Sequence, residues 1–176
     1  TINNSGTISV TGTGRAIGAS GANDTGTILN NSSTGIIVKT STGDNAAEVI
    51  ELGNSGTIIN SGQIRNDTSP SNTSVNLRGN NNTLILQNGG ILVGRIVSNG
   101  TGNKLQVNHG LGQAYFYDTA GTLELEDLAG NTIVEGSASA VGLGAQETVD
   151  ELIALKASNI RAALKRYALS MGAERG

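Results

Sequence analysis

Apolar residues in this chain come in short blocks rather than long runs. Asn80–Asn108 shows the pattern best: Leu84–Leu86, Ile91–Val93 and Leu105–Val107 are separated by Asn88-Gly89-Gly90 and by Asn99-Gly100-Thr101-Gly102-Asn103. Short strands joined by turns that need positive φ are the parts of one coil of a parallel β-helix. Turn-then-strand units recur as NNSGTI at Asn3–Ile8, NDTGTIL at Asn23–Leu29, GNSGTII at Gly53–Ile59, NNNTLIL at Asn80–Leu86, TGNKLQV at Thr101–Val107 and TAGTLEL at Thr119–Leu125. With Ile8, Ile28, Ile58, Leu84, Leu105 and Leu123 as phase markers, the period is a loose one of about 20–30 residues, which predicts a solenoid of about five or six coils with loops of unequal length.

Further strands are legible inside each coil. Ser33-Thr34-Gly35 leads into Ile36-Ile37-Val38, and Asn60-Ser61-Gly62-Gln63 leads into Ile64. Third strands are read at Glu48–Leu52, Val75–Arg78 and Ile96-Val97, with apolar and polar residues alternating in the last two. Asp67–Ser74 holds the only proline and reads as a surface loop. Asn before Gly or Thr at equivalent positions admits two readings. Stacked side chains form amide ladders along the axis, or Asn is present because it tolerates left-handed turns.

The pattern changes at Gln113–Val134, which reads as two or three antiparallel strands with tight turns at Asp118–Gly121 and Ala129–Asn131. Tyr115, Phe116 and Tyr117 hold the only Phe and two of the three Tyr, and with Leu123 and Leu125 they are expected to cover the last open coil. Residues 135–147 are small and read as a linker. Thr148-Val149-Asp150-Glu151 then fits a capping box. Val149, Leu152, Ile153, Ile160, Ala163, Leu164 and Tyr167 make one apolar stripe at helical spacing. Acidic residues at the start and Arg161, Lys165 and Arg166 at the end complement the helix dipole. The predicted fold is therefore all-β: a right-handed parallel β-helix over 1–112, a strand-rich cap over 113–136, a linker over 137–147 and a terminal amphipathic α-helix over 148–171.

Composition narrows the function classes. Aromatics are 2 % of 176 residues and Trp is absent, so a stacking platform for bases or sugars is not expected. A net charge of −3 leaves no basic patch to neutralise phosphates, which argues against nucleic acid. With no cysteine, disulfides and thiolate metal sites are excluded. No run reaches the ~18 apolar residues of a membrane span. The helix, about 33 Å long from Val149 to Ser170, carries Asp150, Glu151, Lys156, Arg161, Lys165 and Arg166 and is too polar for lipid. The sequence opens on TINNSG, already inside the repeat, and reads as a piece of a longer chain.

Candidate chemistry is sparse. A Ser-His-Asp arrangement has only His109 to build on, and no G-x-S-x-G elbow is present. Gly12-Thr13-Gly14 begins like a dinucleotide fingerprint, but Ile17 stands where the third glycine belongs. Glu124, Glu126 and Asp127 are acidic enough for a hard cation, yet Leu123, Leu125 and Leu128 interleave with them as on a solvated strand face. The reading is of no catalytic, cofactor or metal site and of a protein that is not an enzyme. A pectate-lyase-type β-helix enzyme would need carboxylates and basic residues clustered on one face, and no such cluster is visible.

The NSGTI-type repeats, NNNTLILQNGGILVGRI with VSNGTGNKLQV, and the strand-rich Gln113–Val134 together resemble the C-terminal passenger (stem and autochaperone) region of a type V autotransporter, the pertactin-like β-helix. The resemblance implies a bacterial protein at the cell surface or outer membrane, or secreted, with no enzymatic activity of its own. It makes Tyr115, Phe116, Tyr117, Leu123 and Leu125 part of a segment that nucleates folding. It makes the face of Val149, Leu152, Ile153, Ile160, Leu164 and Tyr167 that of a linker helix threaded through the C-terminal outer-membrane β-barrel of the same precursor, which this sequence does not contain. The helix stripe also offers a surface for self-association, and the host-cell surface is a further partner of such passengers. Self-cleavage between paired asparagines is not supported, since Asn159 stands alone between Ser158 and Ile160. An adhesive surface for host cells or glycans, on the polar face of the solenoid, is the alternative function.

Overall fold

The computed structural model describes residues 1–19, 21, 23–41, 47–134, 138–140 and 164–165. Within them the chain winds as a parallel β-helix. The first coil is β1 (Ile2–Asn4), β2 (Thr7–Thr11) and β3 (Ile17–Ala19); the second is β4 (Ile28–Asn31), β5 (Ile36–Thr40) and β6 (Ile50–Leu52). The third is β7 (Thr57–Asn60), β8 (Gln63–Asn66) and β9 (Thr73–Leu77); the fourth is β10 (Thr83–Gln87), β11 (Ile91–Val93) and β12 (Arg95–Ser98). The fifth starts with β13 (Lys104–Asn108), departs at β14 (Tyr115–Tyr117) and returns with β15 (Thr119–Gly121). β16 (Glu124–Asp127) opens a sixth, and β17 (Ala138–Ala140) follows.

Equivalent strands stack into three parallel sheets, β1-β4-β7-β10-β13-β16, β2-β5-β8-β11 and β3-β6-β9-β12-β15, in register apart from one shift at Arg95/Ile96 where β12 meets β9. Because the side-chain period of a strand is two, every second residue of each strand points into the solenoid and meets its counterpart one coil away. Leu29, Ile58, Leu84, Leu105 and Leu125 form one such column. Ile8, Ile37, Ile64 and Leu92 form the second, and Ile17, Ile50, Val75 and Ile96 the third. The middle members of all three columns are fully buried. This core needs no aromatic residue, which is why so aromatic-poor a chain can fold.

Of the phase markers, Ile58, Leu84 and Leu105 share a column. Ile8 belongs to the second sheet, Ile28 pairs with Thr57 and is 40 % exposed while Leu29 faces inward, and Leu125 rather than Leu123 continues the column. The Thr-Ile signal reports that a strand is starting; it does not say which sheet or which face. Counted between directly stacked residues, the coils are 27 residues at Asn4–Asn31, 29 at Asn31–Asn60, 26 at Ser61–Gln87, 21 at Asn82–Asn103 and 20 at Lys104–Glu124.

The antiparallel reading of Gln113–Val134 is corrected. β15 pairs parallel with β12 and β16 pairs parallel with β13, so two of its three strands continue the solenoid. Thr119–Gly121 is accordingly a strand, and the tight turn expected at Asp118–Gly121 is not formed. β14 is the strand that turns away, pairing antiparallel with β17. β17 lies in the small-residue stretch expected to be linker. Small side chains signal a loop in sequence, but Ala138 and Ala140 are buried at positions opposite Tyr117 and Tyr115. The turn at Ala129–Asn131 is present, with the Asp127 carboxylate accepting the Ala129 and Asn131 backbone N–H groups at 2.9 and 3.2 Å. The loop around Pro70 ends earlier than expected, since Thr73 and Ser74 already belong to β9. Of the terminal helix, Leu164 and Lys165 are helical and exposed; Val149, Leu152, Ile153, Ile160 and Tyr167 lie outside the described residues, as does the capping box.

Candidate functional site

Three polar arrangements interrupt the aliphatic interior or close its end. The first is at the corner between the first two sheets. Asn4 donates from Nδ2 to Asn31 Oδ1 at 2.9 Å, and Asn31 donates to Asn60 Oδ1 at 2.8 Å. Each amide nitrogen also donates to a carbonyl of its own turn, that of Gly6, Gly35 or Gly62. The three side chains are buried, so leaving any of these groups unpaired would be costly. One coil further on, Leu86 takes the place of Asn60 in register, followed by Val107. The column therefore changes from amide to aliphatic over the fourth and fifth coils and ends on Asp127. At the corner leading back to the first sheet, Asn82 and Asn103 are buried and hold backbone groups: Asn82 Oδ1 accepts from Gly56 N at 2.8 Å, and Asn103 Oδ1 from Asn82 N at 2.8 Å. Asn81 and Asn88 take the other role, with φ of 56° and 54°. The two readings of Asn describe different asparagines.

The second arrangement lies where the second sheet passes to the third. Lys39 is the inward residue two positions after Ile37, stacked between Val10 and Asn66. It is fully buried, and its Nζ donates to Gly14 O at 2.6 Å. Burial pushes its pKa down, against the opposing charge of Glu48. Arg15 pairs with Glu48 and, at 3.1 Å, with Glu51; Arg78 reaches Glu51 at 3.4 Å, and Asn76 donates to Glu51 at 3.3 Å. The hydrogen bond to Glu48 holds the Arg15 guanidinium above its ordinary pKa. Burial alone would raise the Glu48 carboxyl; hydrogen bonding with Glu51, with its own backbone and with Arg15, together with the Arg15 charge, outweighs it and holds it below the usual value. No cluster of carboxylates and basic residues is visible along the sequence, and stacking assembles one here. Its ion-paired members stand 33, 36 and 27 residues apart, and only stacking brings them together. Aligning the third strands by coil would have placed Glu51 beside Asn76, its register partner. Glu51 is 2 % exposed with both carboxylate oxygens engaged, so the cluster ties three coils together rather than presenting an acid to a substrate.

The third arrangement closes the C-terminal end. Tyr115 and Tyr117 stack with ring centroids 5.6 Å apart, and His109 meets Tyr115 edge-on at 6.0 Å. His109 Nδ1 accepts from Gly89 N at 3.1 Å, which places the ring proton on Nε2, the donor to Tyr117 Oη at 2.6 Å. Tyr115 Oη donates to Asp127 Oδ2 at 2.8 Å. Burial pushes the Tyr117 phenol up to about 12 and raises Tyr115 further, with Asp127 adding to the rise. Burial lowers the His109 pKa, opposed by Asp127. Of the cap residues read from sequence, Tyr115, Tyr117, Leu123 and Leu125 pack on the core, whereas Phe116 points outward and is 70 % exposed. Strand alternation explains the split: three consecutive aromatics on one strand cannot share a face.

Both His109 nitrogens are occupied by Gly89 and Tyr117, so the histidine faces no serine nucleophile. Glu124 pairs with Lys104, Glu126 accepts from Gln106 and Asp127 accepts from Tyr115, each engaged with a different neighbour. Among the described residues no group of three His, Cys, Asp or Glu is placed to hold a metal ion. In comparison with known proteins, no family model, curated protein or solved structure matches this chain.

Proposed function

We propose that this chain is the stem of a bacterial surface protein of the autotransporter kind, exported through the β-barrel of its own precursor, that displays the region upstream of it and seeds its folding. What carries the reading is the end asymmetry of the stack: a Tyr115–Tyr117–His109 cap closes the C-terminal end of coils stacked into three parallel sheets. A capped coil offers the preceding stretch a preformed edge, and each coil that docks becomes the template for the one before it. Such growth needs no external energy source, which suits a chain emerging on the outside of a cell. A rod without an open catalytic constellation among its described residues also fits a display role.

Pulse-labelled hydrogen exchange during refolding tests the seeding step. The amides of β13 and β16 are expected to gain protection before those of β1, β2 and β3, and Tyr117→Ala is expected to slow refolding more than it speeds unfolding. Simultaneous protection of all coils, or a Tyr117→Ala effect confined to unfolding, would count against a C-terminal nucleus.

A further inference from the structure

The corner that carries the asparagine ladder also opens outward as a groove of about 370 Å³. Its wall is formed by Asn3, Asn30 and Ile59, which stack in register on the outer face of the first sheet. Ser5, Ser61 and Gln87 line it on the turn side. No lining residue is charged. Asn30 Nδ2 donates to Asn3 Oδ1 at 2.7 Å, and Gln87 Nε2 donates to Ser61 Oγ at 3.3 Å, so the side chains are fixed along the solenoid axis. Among the described residues, no protein group takes up the Asn3 amide nitrogen, the Asn30 amide oxygen or the Gln87 amide oxygen. The groove thus presents one open amide donor, on Asn3, and two open amide acceptors, on Asn30 and Gln87, with no charge among them.

That chemistry discriminates between ligand classes. Anions and cations find no countercharge. An extended peptide adds along a sheet edge, whereas the groove runs across the outer face of the first sheet over several coils, with β1 alone being an edge strand. A hydrocarbon chain would strip water from several amides without replacing their hydrogen bonds. A neutral polyhydroxyl chain satisfies all the conditions: each hydroxyl both donates and accepts, and its C–H faces have Ile59 to lie against. We propose that this groove binds a neutral oligosaccharide, whose hydroxyls meet the Asn3, Asn30 and Gln87 amides in the first, second and fourth coils. The proposal goes beyond the display role and does not depend on it, since a stem with an empty groove would still display and template.

Titration of the full chain with maltotriose, cellotriose and N-acetylated chitotriose as neutral probes, and trigalacturonate as a charged one, followed by amide chemical shifts, decides it. At least one neutral trisaccharide is expected to give saturable shifts confined to 3–5, 30–32, 61 and 87. Asn30→Ala and Gln87→Ala are each expected to weaken that binding by about fivefold, the loss of one hydrogen bond of roughly 1 kcal/mol, with the rest of the spectrum unchanged. Absence of saturable shifts with all three neutral probes, shifts centred elsewhere, equal binding of trigalacturonate, or unweakened binding by both variants would each overturn the proposal.

Discussion

His109 shows how one side chain couples the last coils to solution conditions. It is the single histidine of the chain, held by Gly89 N on one side and Tyr117 Oη on the other. Protonation would put a hydrogen on Nδ1, where the Gly89 N–H now points, and would place a charge beside two stacked phenols. The folded-state pKa is lowered by burial, so the unfolded chain binds the proton more readily. Stability from this group is therefore present above the unfolded value of about 6.5 and is lost as pH falls from there through the folded value. The lowered carboxyls of Glu48 and Asp127 act in the same direction but at lower pH, through the carboxylate range. Thermal midpoints of the wild type are expected to fall between about pH 7 and pH 5, and the fall is expected to shrink in His109→Gln. Parallel curves for the two proteins would show that another group carries the dependence.

At the level of strands and corners, the sequence announces elements better than it announces partners. Leu84–Leu86 and Leu105–Val107 are legible because their alternation lies on one strand each, and both emerge as β10 and β13. β17 was illegible because its role depends on two tyrosines that stand 21 and 25 residues earlier, in the pairings Tyr117↔Ala138 and Tyr115↔Ala140. The Arg15–Glu48–Glu51–Arg78 cluster was hidden for the same reason: coil lengths vary, so no fixed period superposes its members. Corners carry the clearest local constraint. At Gly100 an added Cβ would run into the carbonyl oxygen of Gly79, itself stacked on Gly53, because coils sit too close there for a side chain aimed along the axis. Gly100→Ala is expected to cost about 1–3 kcal/mol in denaturant unfolding. Gly6→Ala, where nothing lies within 4 Å, is expected to stay within about 0.5 kcal/mol of wild type. Equal midpoints for the two variants would remove the steric account of the corner.

Across the whole molecule the interior is graded. In the first sheet the column that begins with Asn4, Asn31 and Asn60 continues as Leu86 and Val107, and the early coils also enclose the Lys39 amine. Amides and an ammonium contribute little net stability when buried, because their hydrogen bonds mostly replace those made to water. Leu86 and Val107 contribute hydrophobic burial in the same positions. Coil length follows the same gradient, from 27 and 29 residues early to 21 and 20 late, so the late coils order less loop for each set of strands. Both trends place the most stable part of the chain within 80–143, where the cap also lies. Native-state hydrogen exchange measures this directly on the intact chain, and the fair comparison is between strands equally far from the ends of the first sheet, β4 and β13. The amides of β13 are expected to open only with a free energy close to that of global unfolding, and those of β4 at a lower one. If β4 exchanges as slowly as β13, the interior gradient has no energetic consequence, and templating from the C-terminal coils would have to rest on the cap alone.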